Sequence, residues 1–407
     1  MFLQKYNNIS FKKRTNCAVC TKELDKPLIN LPKFPLTEIY TKEKPAKNEK
    51  GGFLDQYFHI CSQCGHGQIS NIISPDFLYG NSYHFRTSES KSGSKVNDVF
   101  LKFISSVTQD KHFKTVIEIG CSDLYLLNSL KQKGDKIIGI DPILNGQERD
   151  EKIIVIGDMI ENIDLNQFDL DDCLIICSHT IEHLDNPREI LKNILQHATP
   201  NTRFLFQFPG FDTLLDNCRF DQIFHQHLNY FSLHSFRYLL KELGAMEINH
   251  EINFQHWGSL QIAFKKNDID IMSNGGDIKS EKVDTRIDRE KVLSKYALFK
   301  ERMKNLNLYL QSIDKEKIIG YGAALMLPVL SYHLRNDLSN LDYIIDDDNN
   351  KEGLFYINLP IIIKNSNSID NVENKTLFIT AIDNTRQILL KAISLQPKRI
   401  ITVLNNI

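Results

Sequence analysis

The chain has 407 residues, with 49 basic and 51 acidic side chains and a formal net charge of −2. This length is too great for a single hydrophobic core, so we expect two or three domains. The balanced charge gives no field that would attract nucleic acid. No apolar run reaches the length of a membrane span and the first residues lack a secretory signal, so we expect a cytoplasmic protein with no membrane partner.

Two Cys-x-x-Cys pairs stand near the N-terminus, Cys17 with Cys20 and Cys61 with Cys64. Each pair presents two thiolates at the spacing of a zinc knuckle, and four thiolates make a closed structural site. A redox pair is the competing interpretation, but two such pairs in a cytoplasmic chain favour zinc. We therefore predict a zinc-binding domain over residues 1–75, whose folding free energy comes largely from the metal.

A polar and aromatic stretch without periodicity follows at residues 79–90. This composition is typical of a loop that covers a ligand, and equally of a solvated linker. Tyr83 and Arg86 are its candidate substrate contacts. Residues 96–107 then predict an amphipathic helix.

The chain is organised around a strand, a tight turn and a helix. Residues 115–119 form an apolar, β-branched run that ends before Gly120, and residues 124–130 have a helical pattern. A second strand at 136–140 ends on Asp141. Such a unit holds a nucleoside in α/β sheets, because the glycine lets backbone approach the ligand and the second acid accepts both ribose hydroxyls.

The number of glycines in this turn indicates which nucleoside is held. A dinucleotide needs three spaced glycines for its pyrophosphate, and Gly120 stands alone. Acids at Glu118 and Asp123 suit a ligand with a positive centre and no phosphate, such as S-adenosylmethionine. An ordinary buried βαβ unit is the alternative.

The α/β alternation continues after Asp141. A third strand at 152–156 is followed by Asp158 and Met159, which are placed to reach an adenine ring. A fourth strand at 172–177 leads to His179, and His183 follows closely. Ligands collect at the carboxyl ends of parallel strands, so these residues are candidates for binding.

The most unusual segment spans residues 220–232 and contains His225, Gln226, His227 and Tyr230 between aromatic side chains. Imidazoles titrate near neutrality, so two of them predict a proton-transfer site. Packing within a helix or strand accounts for the same pattern equally well.

A second α/β unit closes the chain. Residues 281–310 predict a long charged helix, more typical of a connector than of a binding helix. Its apolar stripe consists of Val292, Leu293, Tyr296, Leu298, Phe299, Met303, Leu306 and Leu310. A strand at 317–321 then carries Gly320 and Gly322. Two glycines at a helix start suit a diphosphate, although a Rossmann-like domain without a ligand is the alternative.

Taken in order, these motifs resemble the three-domain sugar C-methyltransferases. The motifs are the paired Cys-x-x-Cys module, residues 118–123, residues 181–183, residues 220–232 and residues 320–324. The resemblance implies an α/β protein with a class I methyltransferase Rossmann-like core. The core, at residues 76–275, is flanked by the zinc-binding domain and by a second Rossmann-like domain at residues 276–407.

The resemblance also implies a function. S-adenosylmethionine binds the core, and a nucleotide-linked keto sugar is held between the core and the C-terminal domain, in the synthesis of a surface polysaccharide or capsule. His227 is the expected base, flanked by His225 and Gln226. His183, Tyr230, Gly320 and Gly322 are then substrate contacts. We expect a monomer or a homodimer.

Several residues depart from the family pattern. Phe224 and Gln226 stand where the family has Tyr and Glu, Leu124 stands where a glycine usually follows Asp123, and Leu325 and Met326 replace a small residue and a Lys. These changes leave alternatives open. They are O- or N-methylation, other transfer chemistry on a sugar or small metabolite, and a non-catalytic binding relative.

Overall fold

The computed structural model of the protein describes residue 6 and residues 9–46, 51–78, 91–144, 152–255, 258–267, 286–314, 317–369 and 372–403. Its strands, numbered in chain order, are β1 Phe11–Lys13, β2 Ile29–Pro35, β3 Tyr40–Thr41, β4 Phe53–Ile60, β5 Gly67–Ile69, β6 Asn71–Ile73, β7 Phe113–Ile119, β8 Gly134–Ile140, β9 Ile153–Ile156, β10 Cys173–Ser178, β11 Arg203–Pro209, β12 Asn229–Tyr230, β13 Ala245–Asn253, β14 Ser259–Lys266, β15 Ile318–Tyr321, β16 Ile344–Asp346, β17 Phe355–Tyr356, β18 Ile363–Asn365, β19 Thr376–Ile379 and β20 Arg399–Ile401. Its α-helices are α1 Pro75–Leu78, α2 Lys91–Thr108, α3 Tyr125–Leu130, α4 Pro187–His197, α5 Phe211–Asp216, α6 Leu233–Glu242, α7 Arg289–Gln311, α8 Leu327–Leu334 and α9 Thr385–Ser394.

The largest sheet has seven strands in the order β13-β14-β11-β10-β7-β8-β9. Strands β7 to β11 pair in parallel, whereas β14 runs antiparallel to β11 and pairs with β13. The apolar runs of β7 and β10 are almost fully buried, as expected for parallel strands covered on both faces. Because β7, β8, β9 and β10 end at one edge, the loops that follow them lie together.

The sequence located these elements closely. The strands predicted at 115–119 and 136–140 are observed as β7 and β8, and the helix predicted at 96–107 lies within α2. The apolar runs and their terminal acids are local signals, which explains the agreement. The α/β core is therefore confirmed.

The N-terminal residues form small antiparallel sheets, β1-β6 and β12-β5-β4-β2. Strand β12 comes from much later in the chain, and its residues Asn229 and Tyr230 pair with Gln68 and Gly67 of β5. Two residues near the end of the predicted proton-transfer segment thus form an edge strand of the N-terminal sheet. The sequence did not predict this pairing.

The C-terminal residues form a parallel sheet in the order β18-β16-β15-β19-β20. Helix α7 precedes it and buries Phe299 and Met303. Leu293 and Leu298, which the sequence assigned to the apolar stripe of this helix, are 44% and 40% exposed. That assignment was wrong, because both residues lie off the buried face.

Aromatic side chains join the three sheets. Phe34 of β2 lies edge-on to Tyr332 of α8, with ring centroids 5.0 Å apart, and Phe220 contacts Phe299 of α7 at 5.7 Å. These rings belong to one continuous apolar cluster. Burial of such rings fixes the segment around residues 220–230 between the N-terminal and C-terminal sheets. In the described part of the chain, no helix is both long and apolar enough to cross a membrane.

Candidate functional site

The four N-terminal cysteines converge. The Sγ atoms of Cys17 and Cys64 are 3.6 Å apart, those of Cys20 and Cys61 are 3.4 Å apart, and all four lie within 4.8 Å of one another. A disulfide would bring two sulfurs to about 2.05 Å. Zn–S bonds of about 2.3 Å in a tetrahedron place sulfurs roughly 3.8 Å apart, so the donor set fits a closed zinc site. Zinc itself stays a prediction.

The two zinc knuckles have the same type of backbone turn. The N–H of Thr21 donates to the carbonyl of Cys17, and the N–H of Gly65 donates to that of Cys61, each at 2.9 Å. The donor residues have left-handed φ values of 62° and 68°. The matched turns present both pairs of thiolates from the same geometry, which favours a four-ligand site over two independent redox pairs.

The loop after β7 has a strained backbone. Gly120, Ser122 and Leu124 have φ values of 76°, 45° and 65°. A Cβ at Gly120 would lie 1.9 Å from Oγ1 of Thr180, so the glycine admits this side chain from the loop after β10. The sequence had predicted the glycine for close approach of a ligand. Leu124 takes the conformation that a glycine would favour, and such strain collects at functional sites.

Asp141 holds this loop from the end of β8. Its Oδ2 accepts a hydrogen bond from the N–H of Ser122 at 2.8 Å, and its Oδ1 accepts one from the N–H of Ile143 at 3.0 Å. The side chain is at the predicted place, beside the Gly120 loop at the carboxyl edge of the sheet. A carboxylate oxygen can accept more than one hydrogen bond, so a side chain of this type at this place suits a ribose hydroxyl.

Glu118 lies beneath the loop. It is 3% exposed, and Oε2 has no hydrogen-bond partner among the described residues. Burial raises the pKa of Glu118 well above its usual range, and the nearby carboxylates of Asp141 and Asp123 raise it further. A cation bound at this loop would offset the repulsion among the three acids and favour the charged form of Glu118, and S-adenosylmethionine carries positive charge on its sulfonium and amino groups. The residues therefore fit this cofactor.

The other predicted cofactor residues lie at the same sheet edge. Asp158 is exposed after β9, and its Oδ1 accepts hydrogen bonds from the N–H of Met159 at 2.7 Å and from Asn162 at 2.8 Å. His179 follows β10 with φ 52°, and its N–H donates to the carbonyl of Gln207 at 2.8 Å. The fold thus brings together the residues predicted after β7, β8, β9 and β10.

His225 is fully buried and both of its ring nitrogens are bound. Nε2 of Gln56 donates to its Nδ1, and its Nε2 donates to the carbonyl of Phe34, each at 3.2 Å. Burial lowers the pKa of His225 to about 4. A neutral imidazole held in this way fixes the segment to the N-terminal sheet, so the geometry favours a structural role over the predicted catalytic one.

Gln226 and Tyr230 also bind within the protein. The side-chain amide of Gln226 exchanges hydrogen bonds with the hydroxyl of Thr37 at 2.9 and 3.1 Å. The Tyr230 hydroxyl donates to the carbonyl of Gln222 at 3.2 Å and accepts from the N–H of Phe224 at 3.1 Å. These contacts hold the backbone around His227, whereas Tyr230 was predicted to contact substrate.

His227 meets His183 at the sheet edge. Their ring centroids are 4.9 Å apart, and Phe224 covers His227 with its ring centroid 4.2 Å away. His183 donates from Nδ1 to the main-chain carbonyl of Gln226 at 2.8 Å. Glu182 joins the two histidines, with the ligand atoms of all three residues within 4.8 Å of one another.

The glycines of the C-terminal sheet serve packing. A Cβ at Gly320 would lie 2.8 Å from Cγ1 of Ile344, and a Cβ at Gly322 would lie 2.4 Å from Cβ of Ala381, with φ 104° at Gly322. Close packing of strands therefore requires both residues. The predicted diphosphate contact at this turn stays a prediction.

The sequence missed some polar residues near the site. Glu182, Thr37 and Gln56 act through contacts across the fold, and only Glu182 carried a local signal, as an acid beside His183 at a strand end. Lys351 was also missed, although its Nζ donates to the carbonyl of Ala323 at 3.1 Å in the turn after β15. Tyr83 and Arg86, predicted as substrate contacts, lie outside the described residues.

Comparison with known proteins identifies the central part of the chain. Residues 93–246 match the family model described as a methyltransferase domain. This part of the chain is a methyltransferase domain. Together with β13 and β14, which complete the seven-stranded mixed sheet beyond residue 246, it has the class I methyltransferase Rossmann-like α/β fold.

One curated relative and two solved structures are similar to the chain. The C-methyltransferase NovU of Streptomyces niveus is 26% identical over 260 residues, which cover 60% of this chain and 59% of NovU. The match thus spans less than two thirds of NovU. The N-methyltransferase NodS of Bradyrhizobium japonicum WM9, in complex with S-adenosyl-L-homocysteine, is 14% identical with a TM-score of 0.36, covering 46% of this chain and 94% of NodS. An S-adenosylmethionine-dependent methyltransferase of Clostridium acetobutylicum ATCC 824 is 11% identical with a TM-score of 0.32, covering 44% of this chain and 94% of that protein.

Proposed function

We propose that the protein is an S-adenosylmethionine-dependent methyltransferase that acts on a nucleotide-activated keto sugar, in the synthesis of a surface polysaccharide or capsule. The observation that carries the cofactor assignment is the group of acids around the Gly120 loop, where one oxygen of buried Glu118 has no hydrogen-bond partner in the described part of the chain. This group lies inside the part of the chain that matches the methyltransferase domain.

Each acid has a proposed role toward the cofactor. Asp141 binds the ribose hydroxyls, because its carboxylate is fixed by Ser122 and Ile143 at the end of β8. Asp158 reaches the amino group of the adenine from the end of β9, while Glu118 neutralises the positive end of the ligand. S-adenosylmethionine supplies an activated methyl group.

The acceptor is proposed to lie between the methyltransferase domain and the C-terminal sheet. His183 and His227 mark the end of this space nearest the loop at residues 120–124, which we call the cofactor loop. Thr180 packs on Gly120 of this loop and lies three residues before His183. Lys351 offers a cation for a phosphate at the other end. The likeness to a C-methyltransferase supports transfer to carbon.

The N-terminal module is proposed to position residues 220–232, which we call the acceptor segment. Strand β5 begins three residues after Cys64, and it pairs with β12, which follows His227. Zinc at the four cysteines would therefore stabilise the strand that holds the histidine in place.

Calorimetry with the purified protein tests the proposal. We expect binding of S-adenosylmethionine and its demethylated product, and binding of a nucleotide sugar to the complex with that product. Transfer of radiolabelled methyl to the sugar should follow. Absence of cofactor binding at millimolar concentration contradicts the proposal and favours a non-catalytic binding relative, whereas cofactor binding without transfer to any nucleotide sugar contradicts the acceptor alone.

A further inference from the structure

A buried carboxylate and two imidazoles meet beside the cofactor loop. Glu182 is 1% exposed, and neither of its carboxylate oxygens has a hydrogen-bond partner among the described residues. One oxygen, Oε1, lies 3.3 Å from Nδ1 of His179. Removing a carboxylate from water without hydrogen bonds is costly, so an almost inaccessible carboxylate that has one imidazole within ion-pair distance, and no hydrogen bond, favours a further positive partner.

The two histidines complete a ligand set. The ligand atoms of Glu182, His183 and His227 lie within 4.8 Å of one another. Bonds of about 2.1 Å place the ligands of one metal ion roughly 3 to 4 Å apart, so the side chains need to close by about 1 Å. His227 is 5% exposed, which shields the centre from bulk water.

The tautomer of His183 is the one that metal binding requires. A carbonyl oxygen only accepts, so the 2.8 Å contact between Nδ1 of His183 and the carbonyl of Gln226 makes Nδ1 the donor. The lone pair of a neutral ring is then on Nε2. Metal-binding histidines are typically oriented in this way, by donation of the second N–H to a carbonyl.

We propose that Glu182, His183 and His227 bind a divalent first-row transition metal ion, distinct from the zinc predicted at the cysteines. Two imidazoles and one carboxylate suit such an ion and leave coordination positions open. The inference deepens the proposed function and rests on it for one point, the identity of the molecule that binds the ion beside the three side chains. An oxygen of the methyl acceptor, next to the atom that is methylated, takes an open position.

The ion has a defined chemical role. It acts as a Lewis acid that draws electron density from the bound oxygen, so that the acceptor loses its proton more readily, to a water molecule at another of the open coordination positions. The electron pair left on the acceptor then forms the bond to the methyl carbon. The bond between this carbon and sulfur breaks with both electrons on sulfur, and the ion is neither oxidised nor reduced.

Titration of the full chain with Mn²⁺ tests the centre, because this hard ion is poorly suited to the thiolate cluster. Electron paramagnetic resonance should report about one bound Mn²⁺ per chain. Glu182→Gln, His183→Asn and His227→Asn should each weaken binding by roughly 10-fold or more. His250→Asn should not, although His250 also contacts a glutamate, with Nδ1 2.7 Å from Oε1 of Glu247.

Two outcomes overturn the proposal. One is a wild-type protein that binds neither Mn²⁺ nor Co²⁺ at millimolar concentration, and the other is wild-type affinity in the three ligand variants. If a variant does not fold, pulsed spectra of the wild-type Mn²⁺ complex decide, since coupling to ¹⁴N of imidazole is expected and its absence contradicts the assignment.

The same samples separate this inference from the proposed function. Cofactor binding and methyl transfer that persist after a chelator has removed this ion overturn its catalytic role and leave the methyltransferase assignment intact, with His227 as the base. Mn²⁺ bound by the three side chains in a protein that binds no S-adenosylmethionine supports the centre and contradicts the assignment.

Discussion

The carboxylate of Asp141 accepts a hydrogen bond from the backbone N–H of Ser122 at 2.8 Å, so the end of β8 holds the loop that follows β7. The C-terminal sheet repeats this relationship, because Asp346 at the end of β16 accepts from the N–H of Ala323 at 2.6 Å, in the turn after β15. Adjacent parallel strands end at one edge, which brings the acid of one strand to the glycine turn of the other.

Asp141 and Asp346, which make the same loop contact in two different sheets, make the cofactor assignment testable. Asp141→Ala should lower the affinity for S-adenosylmethionine by more than about tenfold, because two charge-assisted hydrogen bonds of roughly 1.5–3 kcal/mol each are lost. The matched control is Asp346→Ala, which removes the same loop contact from the sheet outside the methyltransferase domain. Calorimetry measures both. Equal losses in the two variants would show that loop stability alone sets the affinity.

The cysteine cluster should hold about one zinc ion per chain, by the four-ligand rule. Cys61→Ser should release this metal and lower methyl transfer, because β5 follows the knuckle and pairs with β12. Affinity for S-adenosylmethionine should stay close to wild type. Cys218→Ser is the control, a buried thiol outside the cluster. Metal analysis decides, and a folded N-terminal module without metal contradicts the prediction.

Glu38 should make stability depend on pH. Its φ is 61°, and burial raises its pKa to about 7 from 4.5, although Lys351 opposes the shift. The folded protein thus favours the protonated form. This contribution to stability is fully present below pH 4.5 and is lost as the pH rises through 7, by on the order of 3 kcal/mol.

Glu38→Gln should abolish this loss, since the amide does not titrate. Relative to wild type, the variant should therefore gain stability between pH 5 and pH 8, as measured by urea unfolding at both values. Glu43→Gln, at an exposed position in the same module, is the control. If the free energy of unfolding differs between the variant and wild type by the same amount at pH 5 and pH 8, the assignment is contradicted.

Local sequence signals were sufficient for the cofactor loop. Glu118, Gly120 and Asp141 were located correctly at the ends of β7 and β8, because an apolar run, a glycine and a terminal acid lie within a few residues of one another. The cysteines converged for a similar reason, since each knuckle is encoded by its own short spacing. In both cases the fold only had to bring two such local units together.

The acceptor segment could not be predicted in the same way. The contacts of His225 with Gln56 and Phe34, and the pairing of β12 with β5, join residues far apart in the sequence. No periodicity encodes such contacts, so the residue pattern did not distinguish the two histidines, and only the family resemblance named His227 as the base. In the structure both ring nitrogens of His225 hydrogen-bond to the N-terminal sheet, and His227 lies beside Glu182 and His183.

A buried ion-pair network joins the acceptor segment to the C-terminal sheet. Arg219 donates from Nε to Asp221 at 2.9 Å, and its Nη2 donates to Asp221 and to Asp383. The side chains of Arg219 and Asp221 are 9% and 1% exposed. Burial alone would lower the pKa of Arg219, but the two carboxylates raise it. The guanidinium is thus the cation that neutralises both acids.

Arg219→Met should destabilise the protein by roughly 3–5 kcal/mol, because it leaves the buried carboxylate of Asp221 and the partly buried carboxylate of Asp383 without their cation. Asp383→Asn should cost less, since Asp221 still pairs with Arg219. A triple variant that adds Asp221→Asn and Asp383→Asn to Arg219→Met should recover part of the loss, because it leaves no unpaired charge in the network. Urea unfolding of the three proteins measures these free energies. If the triple variant is less stable than Arg219→Met alone, the hydrogen bonds of the network, and not its charges, hold the acceptor segment against the C-terminal sheet.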